Sequence, residues 1–444
     1  MSAVPSSQKV HQVLQIKQNL LLIAPHGSYR TMRYLQAASR LDLDVVIVSE
    51  GEHSIVSEYA QGVHVKFAQP DLAFELILKE TTNQNIVAVI GTDDSVIELA
   101  AKVAQHFGLA HNDVNAARLA RRKDLARKAL KENDTPIPNY RLIELAILLD
   151  KSGTQSAVVD QNTTIDQNEF PLVIKPLALS ASRGVIRVNN QKELLSAAKR
   201  VKELLDKQTD LDDFEKQWVL LEEYIHGDEI AVEGVVENGR FKLLTIFDKP
   251  DPLHGPYFEE TYYITPTRLD SAVTDKISKV IQLACDAYGI NTGPVHAECR
   301  LRESEVYLIE MAARTIGGLC SDILEYGLGC TLEEIVLKQA IGSVVEETFS
   351  ETAAGVLMIP VTKNGILKRI EGLLEAGKVE FIEDINIQLR DGYELTPLPD
   401  GNSYLGFVFA KAQSFEQVEH ALREAYSYLN VVVAPMWKLT NQNN

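Results

Sequence analysis

The chain has 444 residues, of which 45% are hydrophobic and 24% charged, a length and composition that suit two or three globular domains rather than one. Its formal net charge of -18 gives a surface that repels phosphate backbones, which argues against a nucleic-acid partner but not against a nucleotide held by a few local cations. The four cysteines lack zinc-like pairing and disulfide-framework density, Met1–Gln18 has no secretion-type core, and no apolar run is long enough to cross a bilayer. The expectation is a cytoplasmic chain with reduced thiols and no membrane partner.

In chain order, Asn19–Ala24 predicts an apolar strand that turns at Pro25-His26-Gly27-Ser28 into a helix over Tyr29–Leu41. Val45–Ser49 and Ile86–Ile90 predict two more strands, the last ending in Gly91-Thr92-Asp93-Asp94. This rhythm implies a parallel sheet with helices on both faces, whose ligands sit at the carboxyl ends of the strands. Gly27-Ser28 and Asp93-Asp94 lie at two such ends. The first turn offers one glycine where a dinucleotide fingerprint needs three, so NAD is not expected. Ala116–Lys131 predicts one long basic helix, broken by Asn133-Asp134-Thr135-Pro136. Ser152–Glu169 reads as a polar surface loop and Gln191–Leu205 as an amphipathic helix. From Ala353 onward, strand-like runs at Val356–Val361, Val379–Ile382, Ile387–Leu389, Tyr404–Ala410 and Val431–Val433, with a helix over Phe415–Leu429, suggest a separate α+β domain.

The chemistry lies in the middle. Pro171–Pro176 is a buried strand with one lysine, Lys175, near its end, and a desolvated ammonium needs an anionic partner. The small residues that follow, Ala178–Val185, would let backbone N–H groups approach phosphate oxygens, although a structural ion pair satisfies Lys175 equally well. Trp218–Ile225 is an apolar strand running into Glu222 and Glu223, then Asp228 and Glu229. These read as exposed acids or as groups along the edge of a nucleotide. Gly293–Leu301 and Val306–Glu310 predict a hairpin with one glutamate on each apolar strand, Glu298 and Glu310. Two facing carboxylates repel unless a cation sits between them, and oxygen ligands beside a phosphate site imply magnesium; the alternative is two acids pointing to solvent. Arg314 follows, placed to hold a negatively charged transition state.

The order of lysine helix, lysine strand, small-residue loop, Glu222–Glu229 segment and glutamate hairpin resembles the ATP-grasp superfamily over most of the chain. Within it, His296-Ala297-Glu298 with Ile309-Glu310-Met311-Ala312-Ala313-Arg314 resembles L-amino-acid ligases of the bacilysin-synthetase kind and carnosine-synthase-like proteins. The resemblance implies an N-terminal Rossmann-like domain over 1–115, an ATP-grasp domain with a nucleotide-covering lid over 116–350, and a C-terminal α+β domain over 351–444. It implies ATP as substrate, with Lys123 and Lys175 near the phosphates, Ser182 and Gly184 in the loop covering them, Glu222, Glu223 and Ile225 along adenine, largely through backbone, and Glu229 on the ribose. Lys249 would face the γ-phosphate. Glu298 and Glu310 would hold Mg2+, with Mn2+ as a stand-in. Where many ATP-grasp enzymes have asparagine two residues after the second metal glutamate, this chain has Ala312, which leaves the number of magnesium ions open and gives Arg314 weight.

The activity implied is joining a carboxylate to an amine, with amino acids as the expected small-molecule substrates, through an acyl phosphate with release of ADP and phosphate. Phosphoribosylglycinamide-synthetase-like and biotin-carboxylase-like reactions, or a non-catalytic nucleotide-binding protein, share the same pattern. The substrate pocket is expected on Phe247–Thr267 and around Arg314–Ser321. A homodimer is compatible with the sequence, which does not fix an oligomeric state.

Overall fold

The computed structural model describes residues 17–50, 61–149, 165–343 and 352–436. Most of the polar loop expected from Ser152 lies outside them, as do residues 1–16. Strands β1 (Asn19–Ile23), β2 (Asp44–Ser49), β3 (Gln61–His64) and β4 (Ile86–Gly91) form a parallel sheet in the order β3-β2-β1-β4. Leu20 to Ile23 of β1 are all buried, so it reads as a continuous apolar run rather than an alternation. β3 and the helix Pro70–Thr81 are elements that the sequence pattern did not lead us to expect.

The expected single basic helix is two helices, Val114–Arg121 and Lys123–Glu132. Arg122 between them is extended (φ -98°, ψ 102°) and its guanidinium donates twice to the Asp124 carboxylate, at 3.0 and 2.9 Å. The break places Lys123 in a first helical turn, where its backbone N–H donates to Leu177 O at 3.0 Å.

Strands β5 (Tyr140–Glu144), β6 (Leu172–Pro176), β7 (Ile186–Val188) and β8 (Trp218–Glu223) make an antiparallel sheet, β5-β8-β6-β7, packed under the helix Gln191–Asp206. The largest sheet joins β9 (Asp228–Glu237), β10 (Arg240–Asp248), β11 (Tyr262–Thr265), β12 (Thr292–Arg302), β13 (Glu305–Ala312), β14 (Ala353–Ile359), β16 (Ile382–Ile387) and β18 (Gly406–Ala412) in the order β13-β12-β9-β10-β11-β14-β18-β16. Three strands of the C-terminal region therefore extend the central sheet through the β11–β14 pairing instead of forming a sheet of their own. Only β15 (Gly365–Glu371), β17 (Glu394–Leu395) and β19 (Asn430–Ala434) make a small separate sheet. The central sheet is apolar on both faces: the helix Ser271–Tyr288 covers one, the segment Ile316–Ile335 the other. The four cysteines are all buried. Among the described residues no helix is long and apolar enough to cross a membrane.

Candidate active site

A narrow cavity of about 60 Å³ lies between the β5-β8-β6-β7 sheet and the β12–β13 hairpin. Its walls include Lys123, Lys175, Ser182, Glu222, Glu223, Ile225, Glu229, Glu298 and Glu310. A larger cavity of about 580 Å³ opens beyond it, bounded by the carboxyl ends of β1 and β4, the Arg314–Cys320 segment and residues of the C-terminal region. Ser182, Glu260, Glu298 and Glu310 line both cavities. Such a size is ordinary for a small-molecule site.

The hairpin geometry is set by register. Glu298 and Glu310 are direct partners across β12 and β13, with the pairing irregular at the next residue. Lys123 Nζ donates to Glu310 Oε1 at 3.0 Å and to Leu179 O at 2.9 Å, so one lysine ties the hairpin to the loop after β6. On the Glu298 side of the hairpin, Lys249, just after β10, has its Nζ 2.9 Å from Glu229, in contact with Glu260, and 3.9 Å from Glu298. Burial alone would lower the Lys249 ammonium, but Glu229, Glu260 and Glu298 outweigh it and push it well above its ordinary value. Burial likewise favours a neutral Glu298, yet Lys249 and His296 reverse this and hold its carboxyl well below the usual range. Glu260 is the reverse: burial raises it and Lys249 only partly offsets that. Oxygens of Glu229, Glu260 and Glu298 lie within 4.8 Å of one another. Glu298 and Glu310, carboxylates paired across two strands with Lys123 and Lys249 beside them, fit a hard divalent cation and a phosphate chain.

His296 is bonded through Nδ1 to Glu233, which is fully buried and also accepts from Ile316 N–H at 3.3 Å. Burial would lower the His296 imidazole, but Glu233 and Glu298 raise it to about 9, so it is cationic at neutral pH. At the strand ends of the N-terminal sheet, Ser28 Oγ donates to Asp93 at 2.6 Å and Arg30 donates to Asp93 at 2.8 Å and to Ile316 O at 3.1 Å. Arg314 Nε donates to Asp94 at 2.9 Å. The parallel sheet thus holds the Arg314–Ile316 segment in place, and both strand ends singled out in the sequence line the larger cavity.

Several expectations change in detail. Lys175 is paired with Glu222 at 2.7 Å, the structural ion pair left open by the sequence, while both still line the narrow cavity. The Glu222 backbone lies in β8 between two neighbouring strands, and its carboxylate is bound by Arg127 at 2.8 Å, so neither fits the adenine-edge expectation. Glu223 pairs with Arg302 at 3.0 Å and accepts from Asn139. The Ile225 carbonyl accepts from Arg300 at 2.8 Å. Glu229, expected on a ribose, is bound by Arg300 at 2.8 Å as well as by Lys249. Gly184 packs against Pro176, where a Cβ would meet Pro176 Cγ at 2.7 Å, and does not line either cavity. Asp248 bonds Thr267 and Arg268, a local structural role. Of the segments Phe247–Thr267 and Arg314–Ser321, on which the substrate pocket is expected, Glu260, Tyr263, Arg314 and residues 316–320 line the larger cavity. Met358, Gln388, Leu389, residues 402–404 and Phe407 bound the cavity from the C-terminal region and carry no local sequence signal.

Family models match twice: an ATP-grasp domain over residues 168–323 and an L-amino acid ligase C-terminal domain 2 over 357–434. The chain therefore carries an ATP-grasp domain. It also carries the C-terminal domain of the L-amino acid ligases. It is 28% identical to alanine–anticapsin ligase of Bacillus subtilis over 260 residues, 55% of this chain and about half (51%) of that protein. It is 23% identical over 430 residues to the uncharacterized protein y4rH of Sinorhizobium fredii, covering 92% of this chain and 82% of that one. Its fold matches the crystal structure of an L-amino acid ligase from Bacillus licheniformis with a TM-score of 0.76 at 24% identity, over 95% of this chain and all (100%) of that one.

Proposed function

We propose that the chain uses ATP to join a carboxylate to an amine, with amino acids as substrates and an acyl phosphate between the two steps. The observation that carries this reading is that Glu298 and Glu310, paired across one hairpin, belong to the walls of both cavities. A nucleotide in the narrow cavity and a carboxylate in the wide one would meet at these two residues. In-line phosphoryl transfer needs positioning and charge neutralisation more than covalent help.

Lys123 and Lys175 supply cations beside the phosphates, and Lys249 supplies another on the side of Glu298. Glu298 and Glu310 would hold magnesium, which neutralises phosphate charge when bound. His296, cationic and fixed by Glu233, stands on the wall of the wide cavity next to Glu298. After transfer, an amine attacks the acyl carbon, the oxyanion that forms is held by the Arg314 guanidinium, and phosphate leaves. The tie from Arg314 to Asp94 fixes the guanidinium plane before the reaction, so little reorganisation is needed.

The test is product analysis with ATP, magnesium and pairs of amino acids. The reading predicts an amide with one phosphate released per bond, and at least a hundredfold loss in Glu298→Gln and in Glu310→Gln. Product only from phosphoribosylamine plus glycine, or phosphate release that needs bicarbonate, would assign the site to another ATP-grasp reaction. No release with any substrate pool would make the chain a nucleotide-binding protein.

A further inference from the structure

The loop after β6 has an unfavourable conformation and is tied to a distant part of the chain. Ala181 and Ser182 both have positive φ, 56° and 54°, a region that residues with a Cβ seldom occupy. Such strain persists only where the surroundings favour it. Two turn bonds within the loop span them, Arg183 N–H to Ser180 O at 3.3 Å and Val185 N–H to Ser182 O at 3.1 Å, and the C-terminal region adds a third contact: Gly184 N–H donates to Pro399 O at 2.9 Å. One residue on, Asp400 takes two bonds from Arg200 of the helix Gln191–Asp206, at 3.1 and 2.9 Å. Arg200 also donates to Tyr257 OH at 3.0 Å, next to the point where Ile186 of β7 bridges Tyr257.

Pro399 and Asp400 are themselves rigidly placed. Gly401 N–H donates to Pro397 O at 3.0 Å, and a Cβ on Gly401 would lie 1.7 Å from Thr396 O, so the turn tolerates only glycine there. The residues that follow, Asn402 to Tyr404, line the wide cavity together with Ser180, Ala181 and Ser182. One short segment therefore touches the loop over the narrow cavity and also forms a wall of the wide one.

We propose that residues 397–404 act as a latch: Pro399 and Asp400, with Arg200 as the positioning residue on the other side, hold the 180–185 loop closed over the nucleotide, and Asn402–Tyr404 connect that closure to the contents of the wide cavity. Closure by this route keeps water from the reacting centre and slows nucleotide escape. The proposal rests on the narrow cavity being the nucleotide site, and not on the identity of the substrates.

The experiment is stopped-flow release of a fluorescent N-methylanthraniloyl ADP with magnesium from wild type, Arg200→Asp, Asp400→Arg and the double exchange. Both partners are more than 40% exposed, at 42% and 43%, so the variants are expected to fold, with thermal midpoints checked in parallel. The latch predicts release about two- to fivefold faster in each single variant, the range an exposed ion pair can supply, and a return to the wild-type rate in the double exchange. A purely structural pair would shift the thermal midpoint and leave release unchanged, and that result overturns the latch. Equal rates in all four proteins, or a double exchange as fast as the singles, overturn it as well. A wild type that does not bind the labelled nucleotide overturns the nucleotide-site reading and the latch with it.

Discussion

Glu222 is almost fully buried, at 1% exposure, between Arg127 and Lys175. Burial by itself would raise its carboxyl above the ordinary 4.5, but the two cations outweigh burial and hold it at about 2. A depressed carboxylate contributes stability that is present above its unfolded value and is lost as pH falls through the folded one. The pair should therefore stabilise the fold above about pH 4.5 and cease to do so between there and about pH 2. Glu222→Gln leaves two buried cations without their partner and should cost about 3–5 kcal/mol at neutral pH. Its unfolding midpoint should also fall less steeply between pH 4.5 and 2 than that of wild type. Denaturant titrations at several pH values check both, and parallel curves for the two proteins would show that the pair carries no such linkage. Arg314 makes a different kind of contribution. An oxyanion exists only in the transition state, so Arg314→Ala should slow amide formation about a hundredfold while nucleotide affinity stays near wild type. Arg314→Lys should recover little, since an ammonium cannot keep both the Asp94 contact and the guanidinium plane. A defect confined to nucleotide affinity would remove Arg314 from the chemistry.

Elements explain which parts of the site could be read in advance. The β12–β13 hairpin was legible because Glu298 and Glu310 each stand among apolar neighbours, Ala297 and Cys299 on one strand and Ile309 and Met311 on the other, and the register then pairs the two glutamates. The parallel sheet was legible for the same kind of reason, since β1, β2 and β4 are unbroken apolar runs bounded by turn residues. The break at Arg122 was not, because it depends on an arginine bonding an aspartate two residues ahead, in a stretch whose composition suits one helix throughout. The Lys249–Glu260 contact was equally hidden: the loop between β10 and β11 determines which of its acids turns inward. Turns are a further case. Gly227 joins β8 to β9 with φ +121°, and a Cβ there would lie 1.9 Å from Leu301 O of β12. Gly227→Ala should therefore destabilise the chain by at least about 1–3 kcal/mol, seen as a lower thermal midpoint. An unchanged midpoint would mean that the turn is free to rearrange.

At the scale of the whole molecule, the site is assembled from three regions that are distant in sequence. The N-terminal sheet fixes Arg314 through Asp94, the strands β6 and β8 bring Lys175 and Glu222, and the central sheet supplies Glu298 and Glu310. The C-terminal strands could be recognised as strands, but not as a continuation of the central sheet, because pairing between β11 and β14 is set by long-range packing and not by local pattern. That continuation is what brings Met358 and Phe407 to the wall of the wide cavity. In the proposed reaction a substrate carboxylate receives the γ-phosphoryl group where the two cavities meet. This is tested with a substrate whose carboxylate is labelled with heavy oxygen, followed by mass analysis of the inorganic phosphate released during amide formation. One labelled oxygen is expected in each phosphate, carried over from the acyl phosphate. Unlabelled phosphate accompanying labelled amide, or release of AMP and pyrophosphate in place of ADP, would contradict it.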